Sequence, residues 1–379
     1  MKTIRKTYKY RIYPTAKQET AFLKQMTCCR KVYNEILRQR KVAYEENGKT
    51  LSYYDTLKIL PELKEEHPEL RDVYSQVLQN VCYRVDSAYQ GFFRKIKEKK
   101  KGNFKGNPGF PRFKNDHRYT SSLTYPQAGG FKVVEGDNIR LSKIGEIKTV
   151  MHRQPKGELK TATISFEGNK NRKWYISLSA VKEYEPGKEV GKVTGVDVGL
   201  ESFLTLSDGS KVENPRFFTK EEKELTKAQR RLAKEKKYSS EWCRIKERIG
   251  KIYRRITNKR HDFAHKVSRS LVDEYQVIAF EELDVKGMMD GNWRSMNRSI
   301  GDVAWSKFLS ILASKAEEAG RKAIGIDPAY TSQTCSNCGE KVRKSLSERT
   351  HQCPSCGLCL DRDHNAARNI LALGLQSLG

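Results

Sequence analysis

The chain has 379 residues, and its 73 Lys or Arg against 46 Asp or Glu give a formal net charge of +27. That length carries two or three domains with sizeable cores, and no stretch approaches the roughly 18 apolar residues that would cross a bilayer. A surplus this large repels itself and weakens the compact state, so it implies a polyanionic partner, nucleic acid first; a ribosome-associated protein or a binder of anionic membranes would carry the same charge.

Met1 to Lys6 lack an apolar signal core, so the chain is expected in the cytosol. Tyr8, Tyr10 and Ile12 alternate with Lys9, Arg11 and Tyr13 as in a half-buried strand ended by Pro14. Thr15 with Gln18 forms a capping-box pattern and opens a helical region that runs, with breaks, to about residue 100. Within it Leu70, Val73, Val77, Val81 and Val85 keep helical spacing. Its tail is basic: Arg94, Lys95, Lys97, Lys99, Lys100, Lys101 and Lys105. Gly102 to Pro111 has the Gly, Pro and Asn content of a boundary. Residues 118–182 read as short strands, such as Ile147–Val150 and Trp174–Leu178. Gly129-Gly130, Gly136-Asp137 and Gly168-Asn169 turn between them. The expectation is a small barrel whose first strand is the N-terminal one, with the helices inserted after it.

A second boundary falls at Pro186-Gly187. Val193–Val198 and Phe203–Leu206 follow as strands, then Ser207-Asp208-Gly209-Ser210 as a hairpin turn. Helices are expected over 219–237, 240–274 and 301–319, and strands over 275–280 and 322–326. Hairpin strands mixed with crossover helices indicate an α/β sheet. From Lys223 to Arg260 there are 15 Lys or Arg and 4 Glu. Ile245, Ile249, Ile252 and Ile256, later joined by Phe263 and Val267, form a core stripe. Arg230, Arg231, Lys234, Arg244, Arg248, Lys251, Arg254 and Arg255 then point elsewhere. A solvated face would balance them with Glu; Glu is sparse, which favours contact with phosphates.

Cys335-Ser336-Asn337-Cys338 and Cys353-Pro354-Ser355-Cys356 are two Cys-x-x-Cys knuckles 14 residues apart, one residue below the usual range for a four-thiolate zinc ribbon. Gly339 and Gly357 follow the knuckles and allow tight turns. Four thiolates close the coordination sphere, so the implied zinc, one ion per chain, is structural. Disulfides or plain buried thiols are the alternative, and Cys359 is spare.

Three acidic residues stand at element ends. Asp197 lies in an apolar strand, Glu281 follows Val277-Ile278-Ala279-Phe280, and Asp363 precedes a short helix that Gly374 is expected to end. Clustered carboxylates repel unless a cation joins them. Two magnesium ions about 3.5–4 Å apart would then activate water and stabilise the leaving oxygen of a phosphodiester. Each acid alone has an ordinary use: Asp197 in a turn, Glu281 beside Glu282 at a solvated strand end, and Asp361 or Asp363 as a helix cap.

Several segments together resemble the TnpB family of bacterial insertion sequences, relatives of type V CRISPR effectors. They are Tyr8–Pro14, Gly195-Val196-Asp197-Val198-Gly199, Phe280–Met288, Asp327–Cys335, the knuckles, and Asp361–Ala367. The resemblance implies a multidomain α+β chain. A wedge-type N-terminal β-barrel (1–14 and 108–186) would carry an inserted helical recognition domain (15–107). A RuvC-like α/β nuclease domain of the ribonuclease H fold (187–379) would follow, with the zinc ribbon (328–360) inserted in it. It maps the catalytic acids onto Asp197, Glu281 and Asp363, preferring Asp363 to Asp361 by the Asp-x-Asn-Ala-Ala pattern. Glu282 and Asp284 depart from the family's usual Asp and Asn. The implied activity is RNA-guided cleavage of double-stranded DNA beside a short flanking motif. The guide would come from the element's end, both strands would be cut at one site, and the protein would be monomeric in the complex. Gln76 and Gln79 are motif-reading candidates because Gln bonds adenine edges; as exposed helix residues they need no such role. The runner-up is an RNA-guided binder that represses without cutting, which the three acids oppose. A guide-free zinc-ribbon regulator would leave those acids unexplained, and a junction resolvase would leave the basic insertions unexplained.

Overall fold

The computed structural model describes residues 3–104, 106–115, 122–168, 172–183, 189–289, 294–345 and 348–378. Lys105 of the basic tail, Asn169 of one turn and the Pro186-Gly187 boundary lie outside them. The chain divides into two compact units, Met1–Tyr184 and Glu185–Gly379. No helix among the described residues is long and apolar enough to cross a membrane.

The first unit begins with strand β1 (Thr3–Tyr13) and continues through helices α1 (Ala16–Asn47), α2 (Tyr53–Glu66) and α3 (Ser75–Lys100). Strands β2 (Ser122–Tyr125), β3 (Phe131–Val133), β4 (Ile139–Leu141), β5 (Gly145–Val150), β6 (Glu158–Glu167) and β7 (Lys173–Glu183) follow. The alternation in β1 is real: Tyr8, Tyr10 and Ile12 are buried. Thr15 caps α1 reciprocally, its hydroxyl accepting from Gln18 N while Gln18 Oε1 accepts from Thr15 N.

The Leu70–Val85 stripe is buried as expected, but it is not one helix. Leu70 sits in a short 3-10 turn (Pro68–Asp72), Val73 is extended, and α3 starts only at Ser75. Pro68 opens that 3-10 turn, and a Pro disfavours helical backbone in the residue before it. The strands form one antiparallel sheet, ordered β2-β6-β7-β1-β5-β4-β3, with β1 at its centre. Among the described residues β2 and β3 share no ladder, so the expected barrel is a curled sheet left open at its ends. Tyr125 at the end of β2 nevertheless donates to the Ser142 carbonyl just beyond β4, and helices and strands share one core.

The second unit holds β8 (Val193–Val198), β9 (Ser202–Leu206) and β10 (Lys211–Glu213), then α4 (Phe217–Lys234), α5 (Ser240–Glu274) and β11 (Val277–Glu281). After them come α6 (Val285–Met289), α7 (Arg294–Val303), α8 (Trp305–Ala319), β12 (Lys322–Ile326), β13 (Thr350–Gln352), β14 (Cys359–Asp361) and α9 (Arg362–Gln376). The main sheet is ordered β10-β9-β8-β11-β12. Its first three strands are antiparallel, while β8, β11 and β12 run parallel. Gly209, at φ 90°, makes the predicted hairpin turn. The helix expected over 301–319 is broken: Ala304 is left-handed (φ 54°, ψ 43°) and separates α7 from α8. Leu225 and Ala228 of α4 pack on Ile252 and Ile256 of α5, as the stripe requires.

Helix α9 lies against β8 and β11 because small residues let it approach. A Cβ on Gly195 would stand 2.1 Å from the Ala367 carbonyl oxygen. Gly374 does not end α9, contrary to expectation; the helix runs on to Gln376, and Gly374 is buried in it.

Candidate active site and metal centre

Parallel pairing sets the first two acids side by side. Val196 of β8 is the register partner of Phe280 of β11, so Asp197 and Glu281 come next on adjoining strands. Side chains alternate along a strand. Asp197 therefore shares its face with Gly195, and Glu281 with Ala279, the two residues that meet α9. Asp363 is in the first turn of that helix rather than just before it. Its neighbour Asp361 is the N-cap, accepting from Asp363 N at 3.0 Å and His364 N at 3.1 Å. The capping role that sequence left open between the two thus belongs to Asp361.

The three acids feel one another. Burial raises the Asp197 carboxyl well above its ordinary range, and the Glu281 and Asp363 charges add to the rise, with Arg362 opposing it. Burial also raises Glu281, against a hydrogen bond from the Thr331 hydroxyl that favours its charged form. Asp361 differs: burial works to raise it, but Lys211 at 2.9 Å and the two helix N–H groups outweigh this and hold it low. Asp363 receives Arg362 Nε at 3.3 Å and has Arg349 Nη1 at 3.9 Å. Residue spacing along the chain signalled none of Thr331, Arg349, Arg362 or Lys211.

Asp197 and Glu281, both raised by burial and Asp197 further by its acidic neighbours, offer with Asp363 a donor set of hard oxygens of the kind that suits magnesium. Among the described residues, however, only the four knuckle cysteines already bring their ligand atoms within 4.8 Å of one another, and they fit a different ion. Cys335 Sγ is 3.6 Å from Cys356 Sγ, and Cys338 Sγ is 3.6 Å from Cys353 Sγ. Sulfurs at tetrahedral corners about 2.3 Å from zinc are about 3.8 Å apart, whereas a disulfide requires about 2.05 Å. The knuckles share one turn geometry: Gly339 N donates to Cys335 O and Gly357 N to Cys353 O, with φ of 79° and 71° at the glycines. The Asn337 side chain pulls Cys356 down to about 6. A backbone bond at Glu340 favours the Cys338 thiolate, yet burial and neighbouring sulfurs outweigh it and push that thiol up to about 12. A cation binding all four thiolates would remove this conflict.

The basic residues on α4 and α5 are less uniform than their spacing implies. Arg231 and Arg244 share Glu241, Arg248 and Arg255 reach Glu224, Lys251 pairs with Glu247, and Arg255 also binds Glu221. Three of the four glutamates in that window, Glu224, Glu241 and Glu247, are therefore used, and Glu221, outside it, adds another. Arg230, Lys234 and Arg254 make no ion pair among the described residues. On α3, Gln79 is exposed, while Gln76 Nε2 donates to Gln127 Oε1 at 2.6 Å. The two are not brought into one polar cluster.

The family described as "Probable transposase" of the OrfB IS605 type matches residues 175–292, and the Cas12f1-like TNB domain matches 305–370. A family described as a helix-turn-helix domain matches 1–49, where the structure instead has strand β1 and the single long helix α1. Two relatives carry the name "Putative RNA-guided DNA endonuclease". One, from Streptomyces pristinaespiralis, is 31% identical across 99% of this chain and 90% of its own. The other, from Escherichia coli K12, is 32% identical across 97% and 92%. The fold is similar to that of Cas12f1 solved with single-guide RNA and target DNA (TM-score 0.60, 13% identity, 97% of this chain and 98% of that one). It is also similar to that of a mini RNA-guided endonuclease, CRISPR-Cas phi3 (TM-score 0.53, 10% identity, 98% and 92%). Its near-complete alignment with two relatives above 30% identity shows that the chain belongs to the TnpB-like family of RNA-guided DNA endonucleases.

Proposed function

We propose that the chain cuts guide-matched DNA by metal-dependent phosphodiester hydrolysis, with Asp197, Glu281 and Asp363 as the metal-holding carboxylates. The observation that carries this reading is the shared register of β8 and β11. It sends two carboxylates, the buried Glu281 and the half-buried Asp197, out of adjoining strands on the face that α9 covers, where the third begins the helix. A bound magnesium pair supplies an activated water and a stabilised leaving oxygen. The protein's part is to hold the carboxylates at fixed positions and exclude bulk water from their buried side. Arg349 and Arg362 beside Asp363 limit repulsion between the acidic cluster and an incoming phosphate.

The same reading gives the rest of the chain its work. Residues 187–379 are a RuvC-like domain of ribonuclease H type, supported by a three-strand meander continued by two parallel strands. The segment 328–360 is its zinc ribbon. The sheet strands of 1–14 and 108–186 act as a wedge, and the helices of 15–107 as the recognition domain that reads a flanking motif. The guide is an RNA made from the end of the element, read by base pairing while the protein grips phosphates, with one copy of the chain in the complex. The test is to purify the protein with its RNA, sequence that RNA, and offer the complex DNA matched to its variable end. Magnesium-dependent cutting of matched DNA alone is the expected result. Equal cutting of unmatched DNA, or none with a matched target and flanking motifs varied, would refute the reading.

A further inference from the structure

Glu281 ends its strand with a buried side chain. The group that fixes this carboxylate comes from 50 residues further along: the hydroxyl of Thr331, itself 3% exposed, donates to Glu281 Oε1. Thr331 is in turn held by α9. Asn369 Nδ2 donates to the Thr331 carbonyl at 2.8 Å and to the Thr334 carbonyl at 2.7 Å. One turn earlier, Asn365 Nδ2 donates to the Thr334 carbonyl at 2.8 Å, and its Oδ1 accepts from Ser336 N at 2.9 Å, inside the first cysteine knuckle. Asn365 is fully buried. Tyr330, just before the threonine, has φ 65°; a non-glycine residue keeps that backbone only where its surroundings impose it.

Asp363, Asn365 and Asn369 ride on one helix, so a single rigid element sets both the third carboxylate and the threonine that orients the second. Cys335 follows directly from the segment that the two asparagines hold. The cysteine cluster and the acids are therefore joined by protein hydrogen bonds that need no ion between the acids.

We propose that Thr331 is a positioning residue for metal binding at Glu281, and that Asn365 and Asn369 relay the position of α9 and the first cysteine knuckle to it. This rests on the reading of Glu281 as a metal-holding carboxylate. With Oε1 held, the second oxygen keeps one direction; without the hydroxyl the carboxylate rotates, and the ion must order it on binding. Residues that orient metal ligands in this way are worth about 10–100-fold in metal affinity.

The experiment titrates manganese, as a spectroscopic stand-in for magnesium, into the RNA-loaded protein and follows free ion by electron paramagnetic resonance, without requiring cleavage. Thr331→Val is expected to weaken binding roughly tenfold or more and to raise the magnesium midpoint of cleavage in step. Thr331→Ser, which restores the hydroxyl, should return both toward wild type. Unchanged manganese affinity in Thr331→Val, or equal loss in the Val and Ser variants, overturns the proposal. Should the Val variant lose its fold, Asn369→Leu must raise the same midpoint, and no change there overturns the relay. Asp197→Ala separates the two readings: if it leaves manganese binding and cutting intact, the carboxylate site itself is wrong; if it abolishes them while Thr331→Val does nothing, only the positioning role fails.

Discussion

Gly374 of α9 and Ala279 of β11 meet with no space between them: a Cβ on Gly374 would stand 2.4 Å from the Ala279 Cβ. This contact, with Gly195 under Ala367, seats the helix that carries Asp363 on the strands that carry Asp197 and Glu281.

Adding one methyl there should therefore damage both fold and site. Gly374→Ala overpacks a buried contact, which costs about 1–3 kcal/mol, or roughly 2–10 °C of melting temperature for a unit of this size. Gly91→Ala is the control. Gly91 lies inside α3 with nothing within 4 Å of an added Cβ, so the change should be neutral or stabilise by up to about 1 kcal/mol. Thermal melting of the two variants side by side tests the pair; equal melting temperatures would contradict the seating of α9.

The raised carboxyls predict an inverted response to pH. Asp197 and Glu281 have folded-state pKa values above their unfolded values near 3.9 and 4.3. Their contribution to stability is fully present below those unfolded values and is lost as pH rises through the raised folded ones. Metal-free protein should thus gain stability at neutral pH when Asp197 becomes Asn. Magnesium should raise the melting temperature of the wild type and do so much less for the variant. A metal-free Asp197→Asn protein less stable than wild type at pH 7 would contradict this.

Four sulfurs spaced for a tetrahedral ion predict one zinc per chain. Cys353→Ser removes a buried ligand and should lower folded yield, because metal binding and local folding are linked. Elemental analysis of the freshly purified protein checks the count. Absence of zinc, or disulfides found by mass spectrometry, would count against the site.

The basic hairpin should split into two classes. Neutralising Arg230, Lys234 and Arg254 should leave melting unchanged, weaken binding to all guide–target duplexes alike, and flatten the slope of log K against log salt by up to about 2–3. Arg255→Gln should also lower the melting temperature slightly, because Arg255 and Lys259 together hold Glu221. Fluorescence anisotropy across a salt series, with melting in parallel, separates the classes. Target-dependent losses in the triple variant would mean that these residues read bases.

Local signals were legible in the sequence and long-range ones were not. Thr15 and Gln18 lie three residues apart and form the box they spell. The Ser207–Ser210 turn and the paired knuckles are likewise contained in short stretches. Gly374 misleads because a glycine near a helix end usually stops it, whereas this one is selected by a strand almost a hundred residues earlier. The Leu70–Val85 stripe misleads because a 3-10 turn and one extended residue preserve burial while breaking the helix. Glutamates 221 and 224 reach across the hairpin to arginines on the other helix, which a count along one helix does not reveal. Thr331 has no sequence signal as the partner of Glu281, since only the folded sheet and α9 bring them together.

The central claim is that one set of three carboxylates does the cutting. Its most direct test is cleavage of guide-matched DNA by the RNA-loaded Asp197→Ala, Glu281→Ala and Asp363→Ala proteins, with target binding measured on the same samples. Each carboxylate shares in holding the metal pair, so each single change should abolish cutting of both strands. Target binding should persist, since removing negative charge does not oppose phosphate. Asp361→Ala should retain more activity than Asp363→Ala, because Asp361 serves as the helix cap. Full cleavage by Asp197→Ala or Glu281→Ala would contradict the account.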